Sequence, residues 1–260
     1  MGGKGVFVKE IEEALLAERI DLAVHSMKDV PAELPPGLII AATPTREDPR
    51  DVLIARKNIA MEYLSPGARI GTGSLRRMMQ IRNQNRQIDV VPLRGNLDTR
   101  IRKVTEGALD GVIVAAAGMN RMGWSHRISQ FLAPDVMLPA ACQGIIGIET
   151  RGDDSLSTEL QALHDQTTWL EMTGERAFLK RLGGGCHFPV AVLGKIAEGI
   201  LYLEALLGTT DGQTIARQKI SGPMTEAEQL GDTLAQTLLQ NGGQDILDSL
   251  KNLLSQGREI

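Results

Sequence analysis

The fold is decided by the stretch RIGTGSLRRMMQIRNQNRQIDVV, residues 69–91. Its pattern predicts a short strand at 69–71, a helix over about 75–86 and a second strand over 88–93. Ser74 stands where a residue that caps the helix is expected. A strand, a helix and a strand of these lengths are typical of an α/β layer.

The same alternation continues on both sides of this stretch. Strands are predicted at Leu22–Val24, Leu38–Ala42, Val52–Ala55, Val112–Ala117 and Ile145–Ile148, and helices over 6–19, 97–104, 156–163 and 168–182. We therefore expect α/β layers with largely parallel sheets.

The region that follows Gly183-Gly184-Gly185 has a different pattern. Three apolar runs at 190–196, 201–207 and 214–220 alternate like antiparallel strands, and two helices over about 224–240 and 243–255 close the chain. This tail is predicted to be a separate, small α+β domain.

The composition excludes several classes of protein. The chain has 260 residues, 42% of them hydrophobic, and a formal net charge of −4. These values are ordinary for a globular protein, and the acidic balance argues against a general nucleic-acid binder. No apolar run is long enough for a membrane helix, and the first residues do not resemble a signal peptide. Two cysteines make neither a disulfide framework nor a pair spaced for a metal, so we expect a cytoplasmic protein.

Positive charge is concentrated in one part of the chain. Between Arg69 and Lys103 there are nine basic residues and only two acidic ones, Asp89 and Asp98. A basic region inside an acidic protein indicates an anionic ligand held at one place.

The junction Gly71–Arg77, GTGSLRR, is the first candidate for that anion site. Backbone N–H groups at the start of a helix favour an anion, Thr72 and Ser74 add hydroxyl groups, and Arg76 and Arg77 add forked cations. The alternative is a solvated basic helix face with a capped start.

Arg94 and Arg100 strengthen the first interpretation. Arg94 follows an apolar run that ends at Leu93, so both arginines are expected near the same edge of the sheet as Arg76 and Arg77. Four guanidinium groups repel one another unless several negative charges lie among them, which indicates a polyanion. Four unrelated surface arginines remain the alternative.

The stretch HSMKDVP, residues 25–31, places a hydroxyl, an ammonium and a carboxylate at the end of a strand. Asp29 is a candidate acid, base or stabiliser of a cation. Its alternative role is to form a turn, and His25 is expected to be structural.

Each cysteine has a candidate role. Cys186 follows three glycines that let a loop approach a ligand closely, and the adjacent His187 would favour its thiolate. Its alternative is an inert loop cysteine. Cys142 is expected to act as a small apolar residue.

Taken together, six segments resemble the porphobilinogen deaminase (hydroxymethylbilane synthase) family, in the family's order. They are GGKGVFVKE (2–10), HSMKDVP (25–31), REDPRD (46–51), GTGSLRR (71–77), LRGNLDTR (93–100) and the GGGC loop (183–186). The resemblance implies a transferase of tetrapyrrole, haem and porphyrin biosynthesis. It would deaminate four porphobilinogen molecules and join them head to tail into hydroxymethylbilane.

The resemblance also implies the site. Cys186 would carry a dipyrromethane primer through a thioether, and Asp29 would be the catalytic residue. In that role Asp29 would help to protonate the departing amino group, stabilise the azafulvenium cation and assist the later loss of a proton. The positions that match the family's primer- and substrate-binding residues are Ser26, Lys28, Thr72, Ser74, Arg76, Arg77, Arg94 and Arg100, with Lys4, Phe7 and Arg121 as further substrate contacts.

For the fold, the resemblance implies two α/β domains like those of periplasmic binding proteins and a small α+β domain that bears the cysteine. Domain 1 would comprise 1–44 and 145–163, domain 2 would be 50–138 and domain 3 would be 167–260. A monomer acting on a small-molecule substrate is expected.

The chain departs from the family pattern in two ways. It lacks a family segment that precedes Met1 and contains a Thr-Arg-x-Ser run, so we expect an exposed sheet edge and weak stability or activity. Cys142 stands where the family is expected to have glycine, so it must be excluded as the attachment point.

Two other hypotheses use the same arginines. A solute-binding module would need them but would have no use for Cys186. A nucleic-acid binder would show a steep salt dependence, and the acidic net charge and an aromatic content of only 3% argue against it.

Overall fold

The computed structural model describes residues 4–152, 156–184 and 188–256, and within helices it leaves out the side chains of residues 4–7 and 157. In the described part the strands form three sheets. Two belong to the mixed α/β part of the chain and the third to the small α+β region at its carboxyl end, as the sequence predicts.

The first sheet has three strands in the order β1-β8-β2. It is formed by β1 (Ala23–Ser26), β2 (Leu38–Ala42) and β8 (Ile146–Arg151), and helices α1 (Lys4–Leu16) and α5 (Leu156–Leu160) pack against it. Both strand pairs are antiparallel.

The second sheet has five strands in the order β5-β4-β6-β3-β7. Its elements are β3 (Asp51–Ala55), β4 (Arg69–Gly71), α2 (Leu75–Gln84), β5 (Asp89–Val91), α3 (Leu97–Thr105), β6 (Gly111–Ala115), α4 (Ala116–Arg121) and β7 (Gln130–Leu132). The strand–helix–strand unit of residues 69–91 is present, and β4 runs parallel to both β5 and β6.

The expectation of largely parallel sheets is wrong. In the second sheet β3 is antiparallel to both β6 and β7, and the first sheet has only antiparallel pairs. Strands β3 and β8 are reached through segments that cross from one sheet to the other, not through a helix that returns the chain to the same edge. Only the helical crossover imposes a parallel direction on the next strand.

The third sheet is an antiparallel meander. Strands β9 (Val190–Ala197), β10 (Ile200–Gly208) and β11 (Ile215–Pro223) are covered by α6 (Gln166–Arg181), α7 (Ala227–Leu238) and α8 (Gln244–Ser255). Phe178 of α6 is completely buried in the core of this region.

Several boundaries differ from the sequence prediction. The first helix ends at Leu16 and not at residue 19. The strand predicted to reach Ala117 ends at Ala115, and α4 begins at Ala116. Helix α4 and strand β7 were not predicted, because α4 continues the apolar run of β6 and β7 has only three residues.

Two crossing segments join the first two sheets. Residues 43–50 lead from β2 to β3, and residues 133–145 lead from β7 back to β8. The segments are joined to each other where Glu47 N–H donates to the Gly144 carbonyl at 3.2 Å. Gly144 has a φ of +90°, and a Cβ atom there would lie 2.3 Å from the Glu47 carbonyl oxygen, so only glycine fits this contact.

Candidate active site

The junction between β4 and α2 forms the centre of the site. Ser74 caps the helix, with its hydroxyl oxygen accepting from Arg77 N–H at 3.5 Å, and the Thr72 hydroxyl accepts from Ser74 N–H at 3.1 Å. A Cβ atom on Gly73 would lie 2.7 Å from the Leu93 carbonyl oxygen. Glycine at this position therefore lets the junction pack directly against the chain that leaves β5.

Arg76 and Arg77 are buried at the first turn of α2 and share one carboxylate, that of Asp51. Arg76 Nη1 donates to Asp51 Oδ2 at 2.7 Å, and Arg77 donates to Asp51 Oδ1 from Nη2 at 2.7 Å and from Nε at 3.1 Å. Both arginines also donate to main-chain carbonyls, those of Leu138 and Ile113 respectively. The alternative of a solvated basic helix face is therefore wrong for these two residues.

The charges of this cluster do not cancel. Burial raises the pKa of Asp51, but the attraction of Arg76 and Arg77 and their hydrogen bonds outweigh it and hold that pKa well below its ordinary value. Burial, together with the neighbouring Arg77, lowers the pKa of Arg76. With both guanidinium groups charged, one carboxylate leaves an excess of positive charge.

Arg100 adds to this excess. It is half-buried near the start of α3, and burial and the charge of Arg77 lower its pKa. Its Nε donates to the Gly95 carbonyl at 2.8 Å. Arg94, three residues before α3 begins at Leu97, is exposed. The structure thus brings Arg76, Arg77 and Arg100 together and leaves Arg94 on the surface.

Asp51 was missed by the sequence analysis as a member of the site. It is the first residue of β3, and because β3 is antiparallel to β6, Asp51 pairs with Ala115 at the carboxyl end of β6. That edge of the sheet also carries the β4–α2 junction. The sequence did offer one signal, since Asp51 is a charged residue, the last of REDPRD, at the start of an apolar run. Its location beside the arginines, however, depends on a strand direction that the sequence did not predict.

Ser26, Lys28 and Asp29 lie at the end of β1. Ser26 is exposed, and Lys28 and Asp29 are half-buried on the 3₁₀ turn Met27–Asp29. Met27 anchors this turn, since its side chain is buried against Gly147 of β8, where a Cβ atom would lie 2.1 Å from the Met27 sulfur.

The residue before this group, His25, is buried and structural, as expected. Its Nε2 lies 2.8 Å from Glu149 Oε2 on the neighbouring strand β8. Burial, with the nearby carboxylate of Glu149, raises the pKa of Glu12 on α1, and His25 opposes this shift. The contact between His25 and Glu149 thus joins β1 to β8 close to the point in the chain where the turn that carries Asp29 begins.

Three further groups lie in or against the crossing segments. Arg121 is an exposed residue at the end of α4 and donates from Nη2 to the Gly144 carbonyl of the second segment at 2.8 Å. Arg46 of the first segment has Nη1 at 2.7 Å from Glu175 Oε1 of α6 and Nε at 3.0 Å from the Gln143 carbonyl of the second segment. Cys142 is buried, as expected of a small apolar residue.

Three of the sequence-predicted site residues cannot be placed. Cys186 lies outside the described residues, and so do the side chains of Lys4 and Phe7. Within the described ranges there is no helix that is both long and apolar enough to cross a membrane. The same part of the chain contains no group of three or more histidine, cysteine, aspartate or glutamate side chains arranged to hold a metal ion.

Two family profiles match the chain. Residues 1–159 match "Porphobilinogen deaminase, dipyromethane cofactor binding domain", and residues 169–240 match "Porphobilinogen deaminase, C-terminal domain". Together these matches span most of the sequence.

Curated relatives agree with the profiles. A porphobilinogen deaminase of Syntrophus aciditrophicus is 54% identical over 97% of this chain and 83% of its own length. Another, from Syntrophobacter fumaroxidans, is 48% identical over 96% of this chain and 81% of its own length.

Among solved structures, the periplasmic VFT2 domain of BvgS from Bordetella pertussis matches 65% of this chain and 72% of that domain, with 16% identity and a TM-score of 0.38. A TM-score of this size does not establish a shared fold. The likeness of the two α/β domains to periplasmic binding proteins stays a prediction.

Proposed function

The chain belongs to the porphobilinogen deaminase family, and from that premise we propose how its residues divide the work of joining porphobilinogen into hydroxymethylbilane. The enzyme is a transferase of tetrapyrrole biosynthesis with a dipyrromethane cofactor domain. The observation that carries the proposal is the buried pair Arg76 and Arg77, which shares a single carboxylate beside Arg100.

The residues at the β4–α2 junction fit the dipyrromethane group. Each pyrrole of that group bears an acetate and a propionate, and a site with more guanidinium groups than carboxylates favours such anions. Arg76 Nε is buried without a hydrogen-bond partner in the described part of the chain, which supports a site that is completed by a ligand. When bound, the group supplies the pyrrole carbon from which the product chain grows.

We assign the binding of carboxylates to the arginine site and its flanking hydroxyls. Arg76, Arg77 and Arg100 would neutralise the acids of the primer and of the lengthening chain, and Thr72 and Ser74 would orient them. Arg94 would contact the outer units of the product, since its exposed side chain is free to follow a longer chain. The remaining assigned contacts are Ser26, Lys28, Lys4, Phe7 and Arg121.

Asp29 is the proposed catalytic residue. Positive charge develops on the pyrrole as the amino group of porphobilinogen leaves as ammonia, and a carboxylate nearby stabilises that charge. The same carboxylate would then help to remove a proton after the next pyrrole has attacked. Anchoring by Met27 supports this role, because it fixes the half-buried turn that carries Asp29 at the end of β1.

Cys186 is the proposed attachment point of the primer. It follows α6 and the turn at Gly183 and Gly184, both of which have positive φ angles that glycine adopts without strain. A covalent anchor on this loop would keep the growing product at the arginine site through successive additions.

We also propose three domains, at 1–44 with 145–163, at 50–138 and at 167–260. Each of the three sheets falls inside one of these ranges, which supports the division. We propose that the enzyme works as a cytoplasmic monomer. Light scattering coupled to size-exclusion chromatography measures the molar mass and so tests the monomeric state, and cell fractionation tests the cytoplasmic location.

The role of Asp29 is tested with Asp29→Asn. We expect kcat for porphobilinogen consumption and ammonia release to fall on the order of 10²–10³-fold, because the variant loses charge stabilisation and a proton acceptor. Asp21→Asn is the matched control, because Asp21 lies eight residues earlier in the chain but its side chain is 77% exposed, with Oδ1 3.6 Å from Arg151 Nη2. This variant should keep the wild-type kcat. Equal kcat values for Asp29→Asn and the wild type would overturn the assignment.

A further inference from the structure

We propose that Asp51 is a positioning residue, which holds Arg76 and Arg77 in the orientation that binds the carboxylates of the primer and substrate. This inference rests on the proposed function of the arginine site and adds to it a residue that makes no contact with the substrate itself. Asp51 is completely buried and is the only carboxylate to which these two arginines donate in the described part of the chain.

The hydrogen bonds to Asp51 fix Arg77 more completely than Arg76. All three guanidinium nitrogens of Arg77 donate, two of them to Asp51 Oδ1 and the third to the Ile113 carbonyl. Arg76 uses Nη1 for both of its hydrogen bonds, to Asp51 Oδ2 and to the Leu138 carbonyl, while its Nε has no partner among the described residues. Arg77 is therefore a fixed support, and Arg76 keeps donors for a ligand.

Asp51 also sets the charge of the site. Two guanidinium groups this close would repel each other strongly in a buried environment, and the carboxylate between them offsets one of the two charges. The remaining charge attracts an anion without forcing the two side chains apart. Without Asp51 the two charged side chains would move apart or toward solvent.

Asp51 connects the arginines to both crossing segments. Gln143 Nε2 donates to Asp51 Oδ1 at 3.0 Å, and also to the carbonyls of Pro49 at 2.7 Å and Arg50 at 3.3 Å. The amide of Gln143 comes from the second segment, and the three acceptors lie at the end of the first segment and the start of β3. The orientation of the arginines is thus fixed at the place where the chain passes between the two sheets.

The test is Asp51→Asn, with three measurements. They are the fraction of purified protein that carries a covalent dipyrromethane in its intact mass, the KM for porphobilinogen, and the ¹⁵N–¹H signals of buried arginine Nε–H groups. We expect a lower adduct fraction, at least a tenfold rise in KM and loss of the protected Arg77 Nε–H signal.

The sign of the KM change separates the possible roles of Asp51. If it were only a charge that weakens anion binding, its removal would lower KM, and if it only stabilised the fold, the melting temperature would fall with KM unchanged. Either result, together with a retained Arg77 signal, would overturn the proposal. Asp110→Asn is the control, because Asp110 Oδ2 accepts from Arg69 N–H at 2.9 Å at the opposite end of β4. It should leave KM unchanged.

Asp51→Glu covers the case in which Asp51→Asn does not fold. It keeps the negative charge but moves the carboxylate by one methylene, so a positioning role predicts a raised KM and a shifted Arg77 signal. Wild-type values for this variant would contradict the proposal. A wild-type protein without adduct or turnover would contradict the proposed function instead, and the arginine signals would still report on the positioning role of Asp51.

Discussion

Among single residues, Cys142 has a backbone conformation that is usual for glycine, the residue expected at this position in the family. Its φ is +57°, in the left-handed region, and it is buried, with its N–H donating to Glu175 Oε2. Non-glycine residues adopt this region at some cost in energy, which agrees with the expectation that glycine is usual at this position. Burial also makes its thiol a poor attachment point for a primer.

We therefore expect Cys142→Gly to keep the full amount of dipyrromethane adduct. Relief of the left-handed backbone and loss of a small buried side chain oppose each other, so the free energy of unfolding should change by no more than about 1 kcal/mol. Intact mass and urea unfolding measure the two effects. An adduct that disappears in this variant would move the attachment point to Cys142.

The site was only partly predictable from single residues. GTGSLRR gave the capped junction and both arginines, because a glycine-containing turn before a helix is a local signal. The counter-ion Asp51 was not local, since its place beside Arg76 depends on the antiparallel direction of β3. Nor could the sequence alone tell that Arg94 would be exposed while Arg100 would be half-buried.

Among the elements, α6 contacts the first crossing segment through Arg46 and precedes Cys186 in the sequence. Asp165 caps this helix, with Oδ1 accepting from Thr168 N–H at 2.7 Å, and the hydrogen bond from the Thr168 backbone lowers its pKa. A lowered pKa stabilises the fold above the pKa of the unfolded chain, about 3.9, and this contribution is lost as pH falls below that value.

Asp165→Ala should accordingly lower the free energy of unfolding by about 1 kcal/mol at pH 7, and by less at pH 3. Asp165→Asn is the matched control, because asparagine keeps the cap but not the charge. It should stay near wild-type stability at pH 7. Urea unfolding at both pH values measures these differences, and an alanine variant with the same loss at pH 3 and pH 7 would argue against an ionised cap.

Elements were predicted best where their pattern is strong and uninterrupted. The three strands of the third sheet and the helices α2 and α3 came within a few residues of their observed bounds. The antiparallel pairs of the first two sheets were not predicted, because hydrophobic periodicity reports which face of a strand is buried and not which way the strand runs.

At the scale of the whole molecule, a buried ionic cluster joins the crossing segments to the third sheet. Arg46 contacts Glu175 at 2.7 Å and Glu171 at 3.2 Å, and Gly194 N–H of β9 donates to Glu175 at 2.7 Å. Burial tends to lower the pKa of Arg46, but Glu175 and Glu171 raise it above its ordinary value. A change at this cluster therefore affects the attachment of the third sheet to the first two.

Glu175→Ala should lower the free energy of unfolding by about 3–5 kcal/mol, since it leaves the buried Arg46 without its closest partner. The control is Glu33→Ala, because Glu33 is 71% exposed where it pairs with Lys180 at 3.1 Å. Its loss should be below about 1 kcal/mol. Equal losses in the two variants, measured by urea unfolding, would show that the Arg46 cluster contributes no more than a surface ion pair.

We propose that the arginine site at the β4–α2 junction serves a dipyrromethane primer attached to Cys186. The intact mass of denatured wild-type and Cys186→Ala protein from cells that make porphobilinogen, followed by peptide mapping, tests this proposal. We expect a wild-type mass increase of two pyrrole units on the peptide that contains residue 186, and no increase in the variant. An unmodified wild-type chain, or an adduct that survives in Cys186→Ala, would contradict it.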